Sequence, residues 1–224
     1  MIKDIYILGS TGSVGMTTLK IINKDKKNFN IKLLTTNKNV NKIYRQALEY
    51  NVRKIVIFDK DKRKKNLTKF NKNKINVYST IKDALKKNKK KSFLTINAIS
   101  GINGLEPSLD IIQYTKNFAT ANKESIICGW KFLQKECKKN KTNFIPLDSE
   151  HFSIWTLLKS EDQNLIKKIY LTASGGPFLN KKLKKIKNIK PILALKHPNW
   201  KMGKKITIDS ATMMNKIFEV IEAS

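Results

Sequence analysis

The chain opens on a short unbroken apolar run, Ile5–Leu8, that ends at Gly9 and is followed by a helical spacing through Val14, Leu19, Ile21 and Ile22. The same alternation then repeats. Ile31–Thr35 reads as a strand and Val40–Tyr50 as an amphipathic helix. Lys54–Phe58, Ile75–Tyr78 and Phe93–Ala98 read as further strands. Leu105–Tyr114 and Ser125–Cys137 carry helical periodicity, with a short strand at Phe118–Thr120 between them, and Asn143–Leu147 is the last strand of the set. Strands alternating with helices at this spacing predict an α/β fold, a parallel sheet with helices on both faces. Beyond it the pattern predicts a helix over His151–Leu158, a strand over Ile169–Ala173, a loop-rich tract to Ile206 and a final helix over Ala211–Glu222. The change of style places a domain boundary near Asp148, giving domains 1–147 and 148–224, the second a partial α+β domain.

Composition changes this picture only in part. The 224 residues carry 46 Lys+Arg against 17 Asp+Glu, a formal charge of +29, yet only Arg45, Arg53 and Arg63 are arginine. The remaining 43 lysines, with 29 isoleucines and 23 asparagines, indicate codon drift in an A+T-rich genome rather than a selected nucleic-acid surface, because specific readers rely on the arginine fork. Lysine-free windows support this: Asp4–Leu19, Ser92–Thr115, Thr142–Leu158, Ile169–Asn180 and Ile206–Asn215. Eight of the nine glycines sit in four short segments, at 9–15, 101–104, 175–176 and 203. Lysine runs such as Lys62–Lys74 and Lys86–Lys91 read as solvated faces and loops. No apolar run approaches the roughly 20 residues of a membrane span, so no membrane partner is expected. The apolar strand at the N-terminus leaves no room for a signal peptide. Two cysteines, Cys128 and Cys137, suit a reducing, cytoplasmic setting.

Much of the candidate chemistry sits in or beside these lysine-free windows. Gly9-Ser-Thr-Gly12-Ser-Val-Gly15 follows a strand and opens a helix, where backbone N–H groups and the helix N-terminus can receive a pyrophosphate. The spacing is GxxGxxG rather than GxGxxG, and a plain glycine-rich turn is the alternative. The second strand ends in Thr35-Thr36-Asn37-Lys38-Asn39, with no acid for a ribose 2′-hydroxyl, which points to NADP. Asp148 and Glu150, two apart at a strand end, point to one side and suit a hard divalent cation. Helix capping by Asp148 or Ser149 explains them equally well. In the C-terminal segment Ser210 is placed as an N-cap, and Asn215, Lys216 and Glu219 share a helix face. Ser174-Gly175-Gly176 forms an anion cradle or a turn, and His197 lies in a loop suited to a lid.

Taken together, ILGSTGSVG (7–15), ANKES (121–125), PLDSEH (146–151), SGGPF (174–178) and LKHPNWKMGKKITIDSATMMNK (195–216) resemble the 1-deoxy-D-xylulose 5-phosphate reductoisomerase family, in its order and over the whole chain. The resemblance implies a Rossmann-like NADPH-binding domain followed by a catalytic domain. Thr11, Gly12, Ser13 and Val14 would hold the pyrophosphate, with Asn37, Lys38 and Asn39 near the 2′-phosphate. Asn122, Glu124 and Gly203 would lie on the cofactor side, and Lys123 on the substrate. Asp148, Glu150 and Glu219 would ligate Mg2+ or Mn2+. Ser149, Ser174, His197, Ser210, Asn215 and Lys216 would bind a phosphorylated sugar, with Trp200 and Met202 in a closing lid. The implied reaction is metal-assisted rearrangement of 1-deoxy-D-xylulose 5-phosphate and reduction by NADPH to 2-C-methyl-D-erythritol 4-phosphate, in isoprenoid biosynthesis.

Two positions depart from the family pattern: Asn37 and Ile217 stand where it has glycine. Against the family, the chain also stops just past the last metal ligand, so part of the catalytic domain and a C-terminal helical domain are expected to be missing. With them would go much of the family's homodimer interface. Two alternatives follow: a non-catalytic remnant that retains NADPH binding, and a basic nucleic-acid-binding protein, against which the arginine deficit counts.

Overall fold

The computed structural model describes residues 2–159, 162–200 and 203–223. Its contacts divide into two compact units, Met1–Leu147 and Asp148–Ser224.

The first unit is built on seven strands: β1 (Lys3–Leu8), β2 (Phe29–Thr36), β3 (Lys54–Ile57), β4 (Asn76–Tyr78), β5 (Ser92–Asn97), β6 (Thr115–Thr120) and β7 (Asn143–Pro146). All pair in parallel, in the order β4-β3-β2-β1-β5-β6-β7. The order reverses between β1 and β5, the place where open α/β sheets form a crevice at their carboxyl ends.

Strand periodicity explains the two cores. Ile5 and Ile7 enter one face of the sheet, with Leu34, Ile55 and Ile57. That face is covered by α1 (Ser13–Lys24), α2 (Val40–Glu49) and α3 (Lys60–Asn71), through Leu19, Ile43 and Phe70. Tyr6 and Leu8 point the other way, with Leu33, Val56 and Phe118. Here α4 (Ile81–Leu85), α5 (Leu105–Ile112) and α6 (Lys123–Lys139) contribute Leu85, Ile111 and Leu133. Strands buried on both faces lose their polar alternation, which is why they read as short continuous apolar runs.

The lysine-rich segment 60–71 is a regular helix. Asp59 accepts a hydrogen bond from the Lys62 N–H at 2.8 Å and caps it, and Asp61 lies in its first turn. Phe70 is its one buried side chain and packs edge-to-face on Tyr44.

The second unit contains α7 (Ser149–Leu158), the short helices α8 (Leu183–Ile186) and α9 (Pro191–Ala194), then α10 (Lys204–Thr212) and α11 (Met214–Ala223). Two expectations fail here. Ile169–Ala173 forms no strand: no neighbour pairs with it among the described residues, and Ile169 and Tyr170 are exposed. An apolar, β-branched run becomes a strand only when another backbone completes its ladder. The expected final helix is two helices, split at Met213, whose φ of 61° ends α10 in the left-handed region. Ser210 is consequently no N-cap. It lies inside α10, whose N-cap is Gly203.

Candidate functional site

In the first unit, the glycine segment turns from β1 into α1 beneath a cleft of about 500 Å³ at the carboxyl ends of the strands. Gly9 adopts φ +72°, and its N–H donates to Thr35 Oγ1 at 2.9 Å. Ser10 is fully buried: its Oγ donates to Gln46 Oε1 at 2.8 Å, while Gln46 Nε2 donates back to the Ser10 carbonyl at 3.0 Å. Thr11 and Thr36 join their hydroxyls at 2.9 Å. The loop is therefore clamped to β2 and α2 before any ligand arrives. Gly12 is the N-cap of α1, no side chain caps it, and the first turn carries no acid. That leaves first-turn N–H groups and the positive end of the helix for an anion.

Gly9, Thr11, Gly12, Thr35, Thr36 and Asn37 line one side of this cleft; Ile99 and Ser100 lie on the other. Ser13 and Val14 form the first helical residues beside it. Lys38 and Asn39 are exposed, and Asn39 is the N-cap of α2. Asn37 avoids positive φ, so the backbone does not demand the family's glycine there. Asn122 is buried at the start of α6. It accepts from the Ser125 N–H at 2.8 Å and donates to the carbonyls of Ile99 and Gly101 at 2.6 and 2.7 Å. Its observed role is to fix the loop after β5. Lys123 and Glu124 are half-buried in the first turn of α6.

In the second unit, Asp148, Glu150 and Glu219 each bring a carboxylate oxygen within 4.8 Å of the others. The strand-end geometry expected for the first two is replaced by a helix start. Asp148 caps α7, accepting from the His151 N–H at 3.2 Å, and Glu150 sits in the first turn. Capping and convergence thus coexist. Lys216 stands among the acids, its Nζ 2.5 Å from Glu150 Oε1 and 2.9 Å from Glu219 Oε2. Burial lowers the lysine's pKa, but the hydrogen bonds to both carboxylates outweigh it and the net shift is upward. For Glu150, burial pushes up, and the bonds from Lys216 and Ser149 prevail, so its net shift is downward. The ammonium thus pairs with two of the three converging acids, Glu150 and Glu219. The donor set of the three, oxygen only, suits a hard divalent ion.

His151 lies against the same cluster. Its Nδ1 is 3.1 Å from Asp148 Oδ1 and 3.2 Å from Glu222 Oε2, and its Nε2 is 3.0 Å from the Glu219 carbonyl. The adjacent carboxylates of Asp148 and Glu222 raise its pKa to about 10 against the opposing effect of burial. His151 closes the PLDSEH stretch but carries no expected role, and Glu222 lies outside every motif. The available signal was spacing: each lies three residues beyond an acid of the cluster, on the same helix face.

The other expected substrate residues group on a loop and two helices. Ser174 Oγ accepts from the Gly176 N–H at 3.2 Å and lies 3.2 Å from His197 Nε2. Two backbone N–H groups, of Asn199 and Trp200, donate to His197 Nδ1 at 3.1 Å each. That makes Nδ1 the acceptor and puts the imidazole proton on Nε2, facing Ser174. Trp200 stacks on the His197 ring. Gly176, at φ +63°, brings the loop so near α10 that a Cβ would stand 2.5 Å from the Ser210 carbonyl. Asn215 Oδ1 is buried without a hydrogen-bond partner. Met202 lies outside the described residues. Cys128 is exposed and Cys137 buried. No described helix is long and apolar enough to cross a membrane.

With this geometry in place, comparison with known proteins is specific. The family model for 1-deoxy-D-xylulose 5-phosphate reductoisomerase matches residues 5–129, and that for the 1-deoxy-D-xylulose 5-phosphate reductoisomerase C-terminal domain matches residues 144–224. The 1-deoxy-D-xylulose 5-phosphate reductoisomerase of Pelagibacter ubique (strain HTCC1062) is 55% identical over 225 residues, covering 99% of this chain and 58% of that protein. The enzyme of the same name from Clostridium tetani (strain Massachusetts / E88) is 42% identical, with the same two coverages. A crystal structure of DOX-P reductoisomerase in complex with NADPH, fosmidomycin and magnesium matches with a TM-score of 0.87 at 34% identity, over 99% of this chain and 57% of that one. The Zymomonas mobilis enzyme in complex with NADPH matches with a TM-score of 0.86 at 30% identity, over 100% and 57%. The chain spans under three-fifths of the length of these relatives, 58% of the curated ones.

Proposed function

The chain belongs to the 1-deoxy-D-xylulose 5-phosphate reductoisomerase family, and from that premise we propose that it carries the NADPH, divalent-cation and substrate-binding residues for conversion of 1-deoxy-D-xylulose 5-phosphate to 2-C-methyl-D-erythritol 4-phosphate. The observation that carries the reading is the convergence of Asp148, Glu150 and Glu219 on one point beside Lys216. It joins a clamped glycine turn that offers N–H groups to a phosphate, on a chain with no acid at the end of β2. NADPH and magnesium are named with relatives of known structure.

The residue roles are those the family resemblance implies, and the geometry supports them. Thr11, Gly12, Ser13 and Val14 receive the pyrophosphate of NADPH at the start of α1, and Asn37, Lys38 and Asn39 face its 2′-phosphate. Asn122 holds the loop after β5, with Lys123, Glu124 and Gly203 assigned to the substrate and cofactor sides. Asp148, Glu150 and Glu219 hold Mg2+ or Mn2+, which when bound supplies Lewis-acid polarisation of substrate oxygens. NADPH supplies the hydride.

In this structure the Lys216 ammonium neutralises two of the three acids. With that neutralisation supplied by a bound divalent cation, the ammonium would be available to a substrate phosphate, together with the hydroxyls of Ser174 and Ser210 and the side-chain N–H of Asn215. Ser149 and His197 orient the sugar, and Trp200, stacked on His197, shields the site from water.

The test follows NADPH oxidation at 340 nm with 1-deoxy-D-xylulose 5-phosphate, with and without Mn2+. Turnover that requires both metal and substrate, and that Glu150→Gln abolishes, is the expected result. NADPH binding without turnover would reduce the chain to a binding remnant. Turnover indifferent to metal would refute the carboxylate assignment.

A further inference from the structure

The cation site draws on two helices. Asp148 and Glu150 come from the start of α7, and Glu219 from α11. Three carboxylates drawn from two elements bind a cation only if the elements are fixed against each other, since mutual repulsion drives the acids apart. His151 touches both helices at the points that matter. Its Nδ1 is 3.1 Å from the Asp148 carboxylate, and its Nε2 is 3.0 Å from the carbonyl of Glu219. A carbonyl only accepts, so Nε2 carries a hydrogen and donates it to Glu219, while Nδ1 lies against the Asp148 carboxylate.

Glu222 completes the arrangement. Its side chain is 5% exposed, and Oε2 lies 3.2 Å from His151 Nδ1. A carboxylate this buried is costly unless it compensates a charge. Here it flanks the His151 ring at Nδ1, on the side opposite the Glu219 carbonyl contact made by Nε2. Glu222 also lies three residues beyond Glu219, on the same face of α11.

We propose that His151 and Glu222 are positioning residues for the cation site: Glu222 aligns the imidazole, and the imidazole holds the Asp148 carboxylate and the Glu219 backbone in binding register. The inference rests on the divalent-cation reading above. Outer partners of this kind alter metal affinity by about 10–100-fold when removed.

The test is Mn2+ titration of the full chain, followed by the EPR signal of the free ion. Charge alone and positioning give different outcomes for one variant. His151→Leu removes a basic group and no acid, so electrostatics alone leaves Mn2+ binding unchanged or tighter, whereas loss of positioning weakens it. The expected result is a Kd raised about tenfold or more. Glu222→Gln raises Kd as well, and adds nothing in the His151→Leu background because it acts through the imidazole. Asp209→Asn, an acid bonded to Lys205 at 2.7 Å, changes Kd less than about twofold and controls for net charge.

Far-UV circular dichroism checks the fold of each variant. His151→Leu/Glu222→Leu removes the buried pair together, leaves no lone buried charge, and serves where a single variant does not fold. Metal-free unfolding, measured in parallel, responds to a purely structural role, which would leave Kd unmoved. Unchanged or tighter Mn2+ binding in folded His151→Leu overturns the proposal, as does a full Glu222→Gln effect in its background. If the unaltered chain shows no saturable Mn2+ site, the cation reading falls and takes this inference with it. If that chain binds and the variants bind equally, only the inference falls.

Discussion

Replacing Gly15 by alanine sets two physical effects against each other. Gly15 is the third residue of α1, and alanine is the better helix former by about 0.8–1.0 kcal/mol. Propensity alone therefore makes Gly15→Ala stabilising. Packing opposes it. A Cβ at Gly15 would stand 2.5 Å from the Gly9 carbonyl oxygen and 2.6 Å from Ser10 Cα, against about 3.4 Å for ordinary contact, so backbone must move by about 0.9 Å. The loop it meets is pinned: the Gly9 N–H by Thr35 Oγ1, the Ser10 N–H by the Thr35 carbonyl, and the Ser10 side chain and carbonyl by Gln46. Overpacking costs about 1–3 kcal/mol, and pinned backbone calls for the upper end. Less the propensity gain, the net loss is about 2 kcal/mol, which lowers the melting temperature by about 4–8 °C for a chain of this size. Thermal unfolding of the ligand-free chain by circular dichroism at 222 nm measures it. A melting temperature equal to or above the parent's would show that the loop yields, and would refute the claim that it is clamped before ligand binds.

Three further outcomes are expected. Met213 spends backbone energy on its left-handed conformation, so Met213→Gly stabilises the second unit by up to about 1 kcal/mol, read as a higher urea midpoint at unchanged slope; a lower midpoint would show that the Met213 side chain outweighs the strain. Asn122→Ala loses a helix cap and two carbonyl partners and costs about 2–3 kcal/mol in the same assay. Asn122→Asp keeps the cap but faces two carbonyl oxygens, and is expected to be no better than alanine; recovery of parental stability would assign all the cost to capping. Finally, burial pushes the Cys137 thiol up to about 11 while Cys128 is exposed, so iodoacetamide at pH 8 labels one thiol in the native chain and two in denaturant. Two rapid native labels would contradict the burial of Cys137.

The parallel sheet was readable because Ile5–Leu8, Ile31–Thr35 and Lys54–Phe58 are apolar runs that must be buried on both faces, which leaves few other folds. The helix over 60–71 was obscured by having one core residue, Phe70, among lysines; what makes it a helix is its cap at Asp59. Segment 169–173 misled because a strand is a property of two segments and only one was visible. At the candidate site, residue chemistry pointed to Asp148 and Glu150, while Glu219 lies some 70 residues on and came only with the resemblance. Ser210 looked like a helix start because the break that sets its neighbourhood falls at Met213, and methionine carries no signal for a left-handed turn. His151 and Glu222 required the two helices to be seen side by side.

The position of β1 bears on how the chain is made. β1 pairs with β2 along one edge and with β5 along the other, so its second edge waits for residues 92–97. At about 5–20 residues per second of synthesis, that edge stands open for several seconds, presenting an Ile-Tyr-Ile-Leu template for aggregation. The Ala98 carbonyl, which closes on Gly9, arrives only after β5, so the cleft at the strand ends does not exist before then. The run Lys86–Lys91 emerges immediately ahead of β5. Those lysines place a block of like charge on the nascent chain while its sheet is half built, the position in which gatekeeper residues oppose aggregation.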